Sequence, residues 1–221
     1  MPAFHPRFAE LPEEIAVFPL SGALLLPQGR LPLNVFEPRY LAMTLDSLAR
    51  GRMFGMVQPD ARLPAGATGP GLYAIGCLGR LTSFSETEDG RLLITLTGLI
   101  RFRIAEELPL APGGYRRVRA DYGSYAGDLA TDPGPTACDR AALLAALRPY
   151  FRARGIEANW EAVEQTADAM LVTTLSMVCP FEASEKQALL EAADTTERAR
   201  TLVTLLRMGG AANAPCEGRP S

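Results

Sequence analysis

The stretch YAIGCLGRLTSFSE (73–86), TEDG (87–90), RLLITLT (91–97) decides the fold. Two β-branched and apolar runs flank Asp89-Gly90, a pair that tolerates the positive φ a tight hairpin turn demands. The runs IRFRIAEEL (100–108) and YRRVRADY (115–122) continue the pattern downstream. Arg101 and Arg103 alternate there with Phe102 and Ile104, as expected for a strand with one wet face. Upstream lie three short apolar runs, 15–20, 23–26 and 31–36, punctuated by Pro19, Pro27 and Pro32. Proline cannot donate to a ladder, so these read as short strands at bends or edges.

Between them and the hairpin, Glu37-Pro38-Arg39-Tyr40 opens a helix, because Pro38 suits the first helical position. Leu41, Leu45 and Leu48 follow at i, i+4, i+7 and are expected to form its buried face. Residues 53–58 read as a further strand, and the Pro/Gly-rich 59–71 as a loop. Hairpin-length turns and the lack of βαβ alternation favour antiparallel pairing.

Near residue 126 the texture changes. A turn-rich linker precedes an all-helical half. Thr136-x-x-Asp139 and Asp194-x-x-Glu197 have the spacing of capping boxes, and Ser184-x-x-Gln187 starts a short helix. The last helix is expected to stop at Gly209-Gly210. The expected organisation is a lead-in over 1–13, a β-rich subdomain over 14–126, a linker over 127–136, a helical bundle over 137–210 and a disordered tail over 211–221.

Bulk properties exclude several functions. The net charge is −3, and residues 1–126 carry 13 arginines against 12 acids, so neither half attracts polyanions on charge alone. Cysteines 77, 138, 179 and 216 form no short metal-binding pair, and His5 is the only histidine, so zinc is not expected. Widely spaced cysteines and the absence of a signal-peptide pattern point to reduced thiols and a cytoplasmic protein. No apolar run reaches membrane-spanning length.

The block LLPQGRLPLNVFEPRY (25–40) resembles the signature of the amino-terminal, substrate-binding domain of Lon proteases. Ile75-Gly76, Asp89-Gly90-Arg91, Gly98, Arg101-Phe102, the Glu185–Glu191 segment and Glu197-Arg198 match in order, and the likeness covers residues 14–208. The resemblance implies an α+β fold: an antiparallel β-barrel-like, PUA-like subdomain with one helix, followed by a helical bundle. In Lon proteases this domain helps recognise unfolded or tagged proteins, ahead of an ATPase domain and a Ser–Lys protease domain. Here no phosphate loop of the GxxxxGK[ST] type occurs. Lys186 is the only lysine, and Ser184 lies ~200° around a helix from it, so the two cannot act as a dyad. The chain is therefore expected to be a stand-alone, non-enzymatic domain without a cofactor.

Six residues are candidates for partner binding. Phe36, Glu37, Arg39 and Tyr40 sit at the strand-to-helix junction, where an ordinary helix start also uses such residues. Arg101 and Arg103, with Arg116, Arg117 and Arg119, either line a basic face or belong to solvated strands neutralised by nearby glutamates. Met43, Met53 and Met56 suit either core packing or an adaptable apolar surface. The leading expectation is a module that binds exposed segments of unfolded or peptide clients, or of a protease or chaperone partner. The rivals are a PUA-like nucleic-acid-binding module, which the near-neutral β half disfavours, and a cryptic hydrolase, for which no dyad is present.

Overall fold

One strand, β5 (Leu92–Leu108), organises the sheet. Its first part pairs antiparallel with β2 (Arg30–Val35) on one side and with β4 (Ile75–Glu86) on the other. Its last part pairs antiparallel with β6 (Arg116–Asp121). The computed structural model describes residues 6–130 and 137–211. His5, Thr136 and the tail from 212 onward lie outside them.

The remaining strands complete the circuit. β4 pairs with β3 (Met53–Val57), β3 with β1 (Glu14–Pro19), and β1 with β6. Pairing thus runs β5–β4–β3–β1–β6 and back to β5, with β2 outside the ring. The fold is α+β, but the sheet is mixed rather than a regular antiparallel barrel, because β1 and β3 run parallel. Parallel neighbours need a long crossover. Here residues 20–52 supply it, and they include β2 and the helix α1 (Pro38–Ala49).

Two expected strands change character. The runs 91–97 and 100–108 fuse into the single β5, whose register against β4 shifts beside Gly98. The run 23–26 is not a strand. Leu24, Leu25 and Leu26 are buried in an irregular segment that exchanges backbone hydrogen bonds with β5: Gln28 N–H donates to Gly98 O, and Gly98 N–H to Gly29 O, both at 2.9 Å. A Cβ built on Gly98 would lie 2.0 Å from the Leu26 carbonyl oxygen, so only glycine admits this approach. Ile15, Val17, Leu78, Ile100, Phe102 and Val118 fill the interior of the strand circuit.

The helix α1 corrects another expectation. Its buried face is Tyr40, Met43, Thr44 and Ser47, whereas Leu45 is 54 % exposed and Leu41 and Leu48 are half-buried. The leucine spacing pointed to the wrong stripe because Thr44 hides its polarity: its hydroxyl donates to Tyr40 O at 2.8 Å. Met43 and Met56 are core residues and Met53 is half-buried.

The chain divides into two compact units, 1–134 with 180–190, and 135–179 with 191–221. The second unit contains α2 (Arg140–Ala153), α3 (Trp160–Gln165), α4 (Asp168–Val178) and α6 (Thr195–Ala211). Asp139 caps α2 by accepting from Ala142 N–H, and Asp194 accepts from Glu197 N–H at the start of α6. The helix α6 runs through Gly209-Gly210 instead of stopping there. A Cβ on Gly209 would lie 2.6 Å from the Tyr150 ring, so this glycine serves close packing of α6 on α2.

The helix α5 (Ala183–Glu191), which follows three helices in sequence, clusters through Leu190 with the first unit. Its polar side chains are buried there. Lys186 Nζ donates to Gly22 O, and Gln187 Nε2 to Ile75 O at 3.1 Å. Gln58 Nε2 donates to both Gln187 Oε1 and Ala183 O. No helix among the described residues is long and apolar enough to cross a membrane.

The two faces of α1 are separable by substitution. Met43→Asp is expected to cost ~3 kcal/mol or more by burying an unpaired carboxylate. Leu45→Asp is expected to change stability by less than about 0.5 kcal/mol. Chemical denaturation of the two variants checks this, and equal losses would reassign the buried stripe.

Candidate functional site

The start of α1 lies at a small pocket in the first unit. Pro19 from the end of β1, Arg39 and Tyr40 from α1, Pro59, Thr68 and Pro70 from the loop before β4, and Gly114, Tyr115 and Arg116 at the start of β6 line it. Its volume is about 100 Å³.

Each polar wall is fixed by a specific contact. The Tyr40 ring stacks on Phe18 with centroids 4.1 Å apart, and the Arg39 guanidinium carbon sits 4.5 Å from its centroid. Burial raises the Tyr40 phenol above its ordinary value, while the Arg39 guanidinium pulls it down, Glu37 pushes it up and Arg116 pulls it down. Arg39 Nε and Nη2 both donate to Glu37 Oε2, at 3.1 and 2.9 Å, with both side chains half-exposed. Arg116 is 6 % exposed. Its Nη1 donates to Pro70 O at 2.7 Å and its Nη2 to both oxygens of Glu107. Its Nε is buried with no hydrogen-bond partner among the described residues.

Tyr115 forms a further wall and ties it to the helix, donating from its hydroxyl to Asp46 Oδ2 at 2.7 Å. Burial and this bond to a carboxylate push its phenol up to about 12. A second pocket, about 180 Å³, shares Tyr115 and is lined by Glu14, Asp46, Arg50 and Arg117.

The six candidate residues separate. Phe36, Glu37, Arg39 and Tyr40 come together at the helix start, with Phe36 60 % exposed and Arg91 5.7 Å from its ring. Arg101 does not share a wet face with Arg103. It is 4 % exposed, bound through Nε and Nη2 to Asp128 at 2.9 Å each, and donates from Nη1 to Leu190 O. The short 3-10 segment 123–129 supplies Asp128 and so covers that part of the β5 face. Arg103 is exposed and does not line the pocket. Arg117 and Arg119 are partly exposed and both face Glu14, with Arg119 also facing Glu106.

Sequence reasoning placed Arg116 on a strand face and saw 59–71 only as a loop. The available signal was local: Gly113-Gly114 turns the chain back toward the sheet immediately before Tyr115-Arg116. No group of acidic, cysteine or histidine residues among the described residues is arranged to hold a metal ion.

A mixed sheet closed on itself, a helix start beside a basic pocket, and a unit of helices together characterise the described residues. Residues 14–208 match the model of the ATP-dependent protease La (LON) substrate-binding domain, and the chain belongs to that family. It is 24 % identical over 203 residues to Lon protease 2 of Thermus thermophilus, covering 89 % of this chain and 24 % of that protein. It is 29 % identical over 113 residues to Lon protease 2 of Sorangium cellulosum, covering 49 % of this chain and 13 % of that one. The chain therefore spans a quarter or less of these relatives' length. The crystal structure of a Lon N-terminal domain protein from Xanthomonas campestris superposes with a TM-score of 0.58 at 22 % identity, over 86 % of this chain and 97 % of that one. The N-terminal domain of a Mycobacterium avium complex Lon protease gives 0.56 at 18 %, over 87 % and 97 %. Both share the fold.

Two measurements test the electrostatic assignments. Asp128→Ala strands the Arg101 guanidinium and is expected to cost about 3 kcal/mol of stability. A calorimetric melt indistinguishable from the parent would place Arg101 in solvent. Tyr115 has a folded pKa above its unfolded value, so its contribution is fully present below about pH 10 and is lost as pH rises through about 12. Stability of the parent is expected to fall more steeply across that window than that of Tyr115→Phe, and parallel pH profiles would contradict the assignment.

Proposed function

We propose that this chain is a non-catalytic module that binds exposed segments of client or partner proteins, through the α1 start and the pocket beside it. The supporting observation is the cluster of Arg39 and Tyr40 with Arg116 around a recess, with the exposed Phe36 just ahead of the same helix start. An exposed aromatic ring and a partly wet guanidinium at one helix start suit a polypeptide, with hydrophobic contact supplying affinity and charge supplying choice. Membership in a substrate-binding family points the same way. Candidate partners are unfolded polypeptides, or a protease or chaperone that delivers them.

A nucleic-acid-binding role has less support. Tracking a phosphate backbone requires free, clustered cations. Arg101, Arg116, Arg117 and Arg119 all face carboxylates.

Arg39 discriminates the reading. Arg39→Ala is expected to weaken binding of a fluorescein-labelled, permanently unfolded protein by ~1–2 kcal/mol, the scale of one charge-assisted contact at a partly wet surface. Its melting temperature is expected to stay within a degree or two, since an exposed ion pair contributes little to stability. Unchanged affinity with a melting temperature several degrees lower would make Arg39 a brace for the helix start and nothing more.

A further inference from the structure

We infer that the pocket between Arg39 and Arg116 captures a carboxylate of the bound polypeptide. The inference rests on the peptide-binding reading above and specifies what the recess takes.

The lining holds two guanidiniums and no acid. Glu37 and Glu107, which neutralise them, lie outside the lining. Each cation keeps an unused donor. Arg39 commits Nε and Nη2 to Glu37, leaving Nη1 without a hydrogen bond among the described residues. Arg116 commits both terminal nitrogens and leaves Nε buried and unpaired. A buried donor without an acceptor is costly, and an incoming oxygen would relieve it. The Tyr40 hydroxyl, on the same wall, offers a third donor.

The remaining walls define what fits. Pro19, Pro59 and Pro70 carry no N–H, so the lining residues with side-chain donors are Arg39, Tyr40, Thr68, Tyr115 and Arg116, of which Tyr115 gives its hydroxyl to Asp46. The recess is large enough for a carboxylate and the carbons that bear it. The low exposure of Arg116 strengthens a charge-assisted bond formed beside it. A carboxylate reaches such a recess either as the α-carboxylate of a chain end or as an Asp or Glu side chain.

The test uses the full chain and three unstructured peptides that share one apolar sequence and an uncharged, carboxylate-free BODIPY label. One ends in a free carboxylate, one is amidated and free of acids, and one is amidated with a single internal Glu. Fluorescence anisotropy is expected to show at least one carboxylate-bearing peptide binding about tenfold more tightly than the amidated, acid-free one. Which of the two gains identifies the source of the carboxylate. Thr68→Glu places a tethered carboxylate on a loop at the pocket wall and is expected to abolish that preference without lowering the melting temperature. This variant leaves the buried Arg116 in place, so a folding defect does not confuse the result. Equal affinity for all three peptides, or a preference that survives Thr68→Glu, would overturn carboxylate capture. If no peptide binds while the unfolded protein still does, capture falls and the recognition reading stands. If neither binds, both fall.

Discussion

The notch at Gly98 is the constraint from which the first unit is built. There the irregular segment carrying Leu24, Leu25 and Leu26 comes so close to β5 that no side chain fits between them. Two reciprocal backbone hydrogen bonds fasten the approach. The chain then runs directly into β2, whose register on β5 pairs Arg30 with Thr97 and Val35 with Leu92. Val35 is followed at once by Phe36, Glu37 and the first turn of α1. The positions of Arg39 and Tyr40 therefore descend from a glycine some sixty residues downstream in sequence, through one strand of fixed register. A side chain at 98 would act on the candidate site without touching it.

Charge in this unit is mostly consumed internally. Arg101 with Asp128, and Arg116 with Glu107, show how a near-neutral protein places guanidiniums at low exposure. Such pairs add little net stability over an apolar packing, because desolvation offsets attraction, but breaking one strands a charge. Arginine suits the task better than lysine, since its planar fork serves a carboxylate and a backbone carbonyl together. Arg116 does so with Glu107 and Pro70, and Arg101 with Asp128 and Leu190. The exposed pair Arg39–Glu37 differs, because water weakens its hold and leaves the guanidinium available for exchange.

Elements defined by local chemistry were legible in the sequence. Asp89-Gly90 marked the β4–β5 turn, Pro38 opened α1 and Asp194 capped α6, whereas α2 is capped by Asp139, expected inside its first turn, with Thr136 outside the described residues. The α+β class and the order of strands before helices followed from these. Elements decided by distant partners were not legible. The buried stripe of α1 ran through Thr44 and Ser47 because a hydroxyl satisfied within its own helix can be buried as readily as an apolar group. The parallel β1–β3 pair depends on a crossover, which no local pattern announces. Arg101 and Arg103 share a strand and a parity, yet only Arg101 is covered, because Asp128 reaches back from 27 residues away. At the site, the α1 residues were visible as a motif. Pro59, Thr68, Pro70 and Arg116 join them only through folding of the 59–71 loop and β6.

The return of α5 to the first unit has a bearing on how the chain is made. Gly22 O, Ile75 O, Gln58 and Arg101 all find hydrogen-bond partners in residues 183–190. A nascent chain that has released only its strands still lacks those partners, although every residue of the sheet is already present. Domains synthesised in one continuous stretch can close as they emerge. This one must hold its sheet partly unsatisfied while roughly fifty further residues are translated, until the ribosome has delivered Leu190.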